Sequence, residues 1–278
     1  MFNRSLIMLV FSCLVVPMSF AQADDAEIKN VSYSSILELS YRAADATLVY
    51  GDDKHQFGKL WRPSVKSSGL PALVVFIHGG CWLNAFDIDH SFPLTSALSE
   101  QGFLVWSIEY RRTGDEGGGW PGSFQDIQAG IDYILNQSQE TFDPNKVFVV
   151  GHSAGGHLAT LAADQRNGKV TAIGLAAITD VAKYGQGKNS CQQAVPKFMG
   201  GSAKQKPDDY AQATAKSFVH SILLHGLADK IVPPSQSSQT KAQTVLIADA
   251  GHFDFLHPKS TAFAALLATL TAPRYDSD

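Results

Sequence analysis

Residues 147–158 read Val-Phe-Val-Val-Gly-His-Ser-Ala-Gly-Gly-His-Leu, and no other stretch constrains the chain as much. Four apolar, mostly β-branched residues predict a buried strand. Gly151-His152-Ser153-Ala154-Gly155 forces a sharp turn, and Leu158-Ala-Thr-Leu-Ala-Ala predicts a helix. Strand, turn and helix around Gly-x-Ser-x-Gly is the setting of a nucleophile elbow. The serine of such a turn has a strained backbone, so Gly151 and Gly155 leave room where a Cβ would clash. The helix that follows points free N–H groups at the serine and favours negative charge there.

Further apolar runs surround this unit. Ala72–Ile77, Phe103–Ile108, Lys146–Val150, Val170–Ile178, Ser221–Leu224 and Thr244–Ile247 read as strands buried on both faces, as in a parallel sheet covered by helices. Phe124, Ile127, Ile131 and Ile134 fall at helical spacing after Trp120-Pro121. Phe263, Leu266, Leu267 and Leu270 do the same before Pro273. Strands alternating with helices predict an α/β fold with a mostly parallel central sheet and helices on both faces. Ala46–Tyr50 and Gln56–Trp61 flank Gly51-Asp52-Asp53 and predict an antiparallel hairpin at the sheet edge. Residues 24–45 read as an arm lying on the surface. Residues 181–218, rich in Gly, Lys, Gln and Ser, lack a strong period and read as a small cap-like excursion over the sheet. There is no internal repeat and no linker, so 24–278 reads as one domain.

The N-terminus follows other rules. A short basic start (Met1–Arg4), an apolar run (Leu6–Phe20) and Ala21-Gln22-Ala23 predict a signal peptide, 1–23, cleaved after Ala23, and a secreted or periplasmic protein. The apolar run is short and contains Pro17, so no stable membrane association is expected. The net charge is −4 and no basic cluster is present, which argues against a nucleic-acid partner. Beyond the signal, Cys81 and Cys191 remain. In an oxidising compartment they pair or stay free, and the sequence leaves both open, as it does the oligomeric state.

In a parallel sheet, loops at the carboxyl ends of the strands meet in a crevice where ligands bind. Ser153 lies at one such end. Asp229 follows Ser221–Leu224, and His252 follows Thr244–Ile247, which is the order nucleophile, acid, base expected after an elbow. A serine hydroxyl needs an imidazole to take its proton and a carboxylate to orient that imidazole. Ser153, His252 and Asp229 are the candidates, with Asp180 as a rival acid. His78-Gly-Gly-Cys-Trp82 follows the first buried strand, and the backbone N–H groups of Gly80 and Cys81, with that of Ala154, are candidates for an oxyanion hole. Trp82, Trp120 and His152 are candidate walls of the substrate pocket. The chain has nine histidines but no His-Glu-x-x-His and no paired Cys spacing, so no metal is expected. Gly117-Gly-Gly-Trp120 lacks the Lys-Ser/Thr ending of a phosphate loop, and no cofactor is expected.

On His78–Trp82, Gly151–Leu158, His225-Gly-Leu-Ala-Asp229 with Val232-Pro233, and Gly251-His252, the chain resembles the α/β-hydrolase superfamily across most of its length after the signal. Tyr110-Arg-Arg112 with Gly118-Gly-Trp-Pro121 looks like the bacterial esterase branch, which holds hormone-sensitive-lipase-like, acetyl-xylan and feruloyl esterases and kynurenine formamidases. The resemblance implies a Ser153–His252–Asp229 triad and hydrolysis through an acyl-enzyme, without naming a substrate; a small-molecule carboxylic ester of short acyl chain is the leading reading. Amide cleavage, of aryl-formamides or by a small exopeptidase, is the alternative chemistry. A non-catalytic binding protein on the same scaffold is the third. Cys81 departs from the pattern, since lipase-like members carry a third glycine there and formamidases an aromatic.

Overall fold

The computed structural model describes residues 28–65, 69–137 and 139–272. The predicted signal peptide with its cleavage site and Pro273 lie outside the described residues. Helix α1 (Tyr33–Leu37) comes first, followed by strands β1 (Ala46–Val49), β2 (Phe57–Trp61) and β3 (Leu73–Ile77), helix α2 (Phe92–Glu100) and β4 (Leu104–Ile108). Next come α3 (Gly122–Leu135), β5 (Val147–His152), α4 (Ala154–Gln165), β6 (Thr171–Leu175), α5 (Val181–Tyr184), α6 (Ser190–Phe198) and α7 (Pro207–Gln212). The last part holds β7 (Ser221–Gly226), α8 (Ser235–Ser238), β8 (Gln243–Ile247) and α9 (Thr261–Thr271).

The strands form one eight-stranded sheet in the order β1-β2-β4-β3-β5-β6-β7-β8. The predicted hairpin is present. It joins the sheet through antiparallel β2 and β4, and every later pairing is parallel. Alternation along β3 shows why its run is apolar throughout. Leu73, Val75 and Ile77 pack with α3 and α4 on one face, while Val74 and Phe76 pack with α2 and α9 on the other. A truncation such as Phe76→Ala would cost about 3–5 kcal/mol, because it removes buried contacts and leaves a cavity.

Four expectations need correction. The run Val170–Ile178 ends as a strand at Leu175, because Ala176 turns into the left-handed region with φ 47°. The run Thr244–Ile247 is not buried on both faces: β8 is the edge strand, and Leu246 is 45% exposed. The arm 24–45, in its described part, is not merely superficial. Ile36 is fully buried, and the N–H groups of Asn30 and Val31 donate to the two carboxylate oxygens of Asp254, each at 2.8 Å. Segment 181–218, read as aperiodic, carries α5, α6 and α7. Local chemistry explains α6: Asn189 caps it, accepting from Gln192 N–H, and the Gln192 side chain accepts from Asn189 N–H.

Candidate active site

Ser153 sits between β5 and α4 with φ 56° and ψ −117°. A non-glycine residue held there costs about 1–3 kcal/mol and persists only where its surroundings over-determine it. They do so here. Ser153 N–H donates to Leu175 C=O at 2.8 Å, and its own carbonyl accepts from His157 at 3.2 Å and Ile178 at 3.3 Å. A Cβ on Gly151 would lie 2.2 Å from the Gly155 carbonyl oxygen, and one on Gly155 would lie 2.1 Å from that of Ile77. Both glycines of the motif are therefore steric requirements of strand and helix meeting at this turn.

The carboxyl ends of β7 and β8 bring the other two residues together. His252 Nδ1 lies 2.7 Å from Asp229 Oδ2, with both side chains buried. A carboxylate accepts, so Nδ1 carries a proton, and in the neutral ring the lone pair is therefore on Nε2. Asp229 is itself oriented: Oδ1 accepts from the N–H groups of Ile231 (2.8 Å) and Val232 (2.9 Å). Burial raises its pKa, but His252 beside it and hydrogen bonds from His225, His252 and Ile231 outweigh burial and hold it well below the usual carboxylate range. His225 is fully buried, with Nε2 2.9 Å from the Val232 carbonyl and Nδ1 2.7 Å from Ser237 Oγ. Asp180 is spent elsewhere: it caps α5, accepting from Lys183 N–H at 2.8 Å.

Ser153 and His252 line one cavity of about 310 Å³. Gly80, Cys81 and His152 line it too. His152 is buried, with Nε2 2.9 Å from the His252 carbonyl oxygen, and burial, then the charge of His252, hold its pKa well below the ordinary histidine value. The 78–82 loop reaches the serine because residue 79 has no side chain; a Cβ there would be 3.2 Å from that of Ser153. Gly80 (φ 103°), Cys81 (φ 54°) and Trp82 (φ 58°) are all left-handed. Ala154 is the first residue of α4, so its N–H has no acceptor within the helix. A disulfide joins Cys81 to Cys191 near the start of α6, which answers the question the sequence left open.

Trp82 and Trp120 are not walls of this cavity. Trp82 points away into the core, stacked on Phe198 with ring centroids 4.7 Å apart. Trp120 lines a separate cleft of about 760 Å³ with Phe124, Gln128 and Leu161; none of Ser153, Asp229 and His252 reaches it. Tyr33, Phe86, His90 and Phe253 take their place. Nothing in the chain around Tyr33 signals this, because its position depends on the arm's anchorage at Asp254. Glu109 is a second omission. It is buried, 3.0 Å from His78 Nε2 and 3.4 Å from Arg112 Nη1, and accepts from Ile88 N–H at 3.0 Å. Arg112 in turn donates to the Phe86 carbonyl at 2.7 Å, so this network fixes the loop that carries the cavity wall. The available signal was a carboxylate directly after the apolar run Phe103–Ile108, where burial demands partners.

This sheet order, the elbow and an acid–histidine pair at the ends of successive strands define an α/β-hydrolase. Solved structures share the fold: esterase B from Lactobacillus rhamnosis (TM-score 0.68, 20% identity, 86% of this chain and 88% of that one) and a truncated carbohydrate esterase from gut microbiota (TM-score 0.68, 21% identity, 83% and 96%). Residues 59–244 match the BD-FAE family, and the chain belongs to it. Among curated relatives, it is 26% identical over 233 residues to esterase LipQ of Mycobacterium tuberculosis, covering 76% of this chain and 54% of LipQ. It is 32% identical over 133 residues to the isoprenylcysteine alpha-carbonyl methylesterase ICME of Arabidopsis thaliana, covering 48% and 30%. The chain thus spans about half or less of the length of these relatives.

Proposed function

We propose that this chain is a serine hydrolase that cleaves carboxylic esters of small acyl groups. The observation that carries the reading is the 2.7 Å contact of Asp229 with Nδ1 of His252, a residue that lines the same cavity as Ser153. Ser153 Oγ attacks the ester carbonyl while His252 Nε2 takes its proton, and Asp229 stabilises the imidazolium that forms. The N–H groups of Gly80, Cys81 and Ala154 receive the oxyanion. As the intermediate collapses, His252 returns the proton to the departing alkoxide, and water then releases the acid from Ser153 by the same steps. The cavity, about 310 Å³, is at the low end of the roughly 300–1,000 Å³ of ligand pockets, which favours a short acyl chain. The relatives' names, an esterase and a methylesterase, agree with ester chemistry. The same reading includes export. The chemistry of 1–23 and the bridging of Cys81 to Cys191 both favour a secreted or periplasmic location, since disulfides persist in oxidising compartments.

The test is hydrolysis of p-nitrophenyl esters from acetate to decanoate by the purified protein, beside Ser153→Ala. Activity should peak at acetate or butyrate and vanish in the variant, which should melt as the wild type does. Hydrolysis retained by Ser153→Ala refutes the assignment. A folded wild type that neither hydrolyses esters nor reacts with a fluorophosphonate probe points to a binding protein on a hydrolase scaffold.

A further inference from the structure

The loop 80–82 poses a physical problem that the triad does not. Three consecutive residues are left-handed, and two of them, Cys81 and Trp82, are not glycine. L-residues adopt this conformation at a steric cost, and a pair in succession holds only if outside contacts enforce it. Hydrogen bonds supply part of the restraint: Leu83 N–H donates to the Gly80 carbonyl at 2.9 Å, and Thr113 N–H to that of Trp82 at 2.8 Å. The side chains supply the rest, and both lead to α6. Cys81 is bonded to Cys191, 110 residues away, and Trp82 stacks on Phe198 at an interplanar angle of 12°. Cys191 and Phe198 lie on the same short helix, one near each end. The loop that faces Ser153 is therefore clamped to α6 at two adjacent residues, once covalently and once by packing. Of the two clamped residues, only Cys81, held by the covalent clamp, offers a candidate oxyanion N–H. Both cysteines also line the cavity, so the bridge forms part of its wall.

We propose that the Cys81–Cys191 disulfide is a positioning element for the oxyanion hole: it holds the Cys81 backbone in the conformation that aims its N–H at the intermediate, so turnover depends on the bridge being oxidised. This rests on the reading of Ser153 as an acyl-accepting nucleophile. Reduction by a phosphine in water cleaves the S–S bond, yields two thiols and converts one phosphine to its oxide. The loop then loses its covalent clamp, while Trp82 remains stacked and the fold persists. Ground-state binding of a small ester rests mainly on the rings of Tyr33, Phe86 and Phe253, which line the same cavity and are not attached to the bridge, so the loss should fall on kcat far more than on KM.

The experiment compares three samples of the full protein at a temperature well below their melting points: oxidised wild type, phosphine-reduced wild type, and Cys191→Ser, which keeps Cys81 in place. Thiol titration records the state of the bridge. Hydrolysis of p-nitrophenyl butyrate and the rate of fluorophosphonate labelling of Ser153 are the readouts. The reduced protein and Cys191→Ser should both lose roughly 10- to 100-fold in kcat and in labelling rate, less than the about 10²–10³ typical of deleting a donor outright. KM should change by less than about threefold, since uniform binding is retained. Reoxidation should restore the wild type, and phosphine should leave Cys191→Ser unaffected. A folded, fully reduced wild type that keeps kcat within about twofold overturns the proposal, because an N–H so little displaced needs no covalent clamp. So does a thiol titration showing both cysteines free in the fully active protein. Should Cys191→Ser fail to fold, the reduced wild type decides alone. An oxidised wild type that neither turns over nor labels refutes the hydrolase reading, and the role of the bridge falls with it; an active wild type indifferent to reduction refutes the bridge alone.

Discussion

Replacing Asp229 by Asn is the most informative single change, because the structure dictates which way the amide must turn. Oδ1 accepts from two backbone N–H groups, that of half-buried Ile231 and that of buried Val232, while Oδ2 faces His252 Nδ1 at 2.7 Å. An NH₂ group placed at the Oδ1 position would confront two donors and leave both unsatisfied, at about 1–3 kcal/mol each. The amide oxygen therefore keeps that position by about 2–6 kcal/mol, a preference of roughly thirtyfold or more at about 1.4 kcal/mol per tenfold. The NH₂ must then donate to His252 Nδ1, which moves the imidazole proton to Nε2. An imidazole protonated on Nε2 cannot take the proton of Ser153. The expected loss in kcat is on the order of 10⁴, as for the equivalent change in another serine triad, or about 5 kcal/mol of transition-state stabilisation. Steady-state hydrolysis of p-nitrophenyl butyrate measures it, with a thermal melt to show that the variant is folded. A variant keeping more than about a tenth of the wild-type kcat would break the tautomer argument, since wrong-tautomer loss is far larger. A greater loss from Asp180→Asn would mean that the acid is misassigned.

Cavity shape and buried histidines lead to further expectations. Tyr33 lines the cavity, 5.5 Å from the Phe86 ring, whereas Trp120 stands in the separate cleft. Tyr33→Ala should move the chain-length optimum toward longer p-nitrophenyl esters and Trp120→Ala should not; the reverse pattern would mean that the wrong cavity has been identified. Burial, and for His90 then the charge of His78, lowers the pKa of His90 to about 3, while burial lowers that of His157 to about 4, against about 6.5 for each in the unfolded chain. Below pH 6.5 the unfolded chain protonates these rings and the folded one does not. Their contribution is therefore complete above about pH 6.5 and falls on acidification, by up to about 1.4 kcal/mol per pH unit for each ring, until the folded values are reached. Urea unfolding at pH 7, 6 and 5 should record this decline, and a stability that is flat over that range would exclude both rings as its source.

The chain's local chemistry determined a good deal by itself. A turn that needs two glycines because strand and helix carbonyls stand about where their Cβ atoms would go can be read from neighbouring residues, and so Ser153 was legible. Asp229 and His252 were legible because each follows a strand whose run could be recognised, and parallel strands deliver their ends to one side of a sheet. The central strands and the helices α3 and α9 follow from periodicity in the same way. Tertiary structure alone decided where side chains at irregular positions point and which distant segments touch. Trp82 belongs to the same motif as Gly80, yet its ring, on a left-handed backbone, stacks on Phe198 and does not line the cavity that holds Ser153. Tyr33 reaches the cavity because Asp254, more than 220 residues later, holds the arm through Asn30 and Val31. The Cys81–Cys191 bridge spans 110 residues that include three central strands, and no spacing rule covers such a distance. Short-range sterics and hydrogen bonding act on the residues beside them and so leave their mark in the order of the chain; contacts across the fold depend on how whole elements pack, and only the assembled sheet supplies that information.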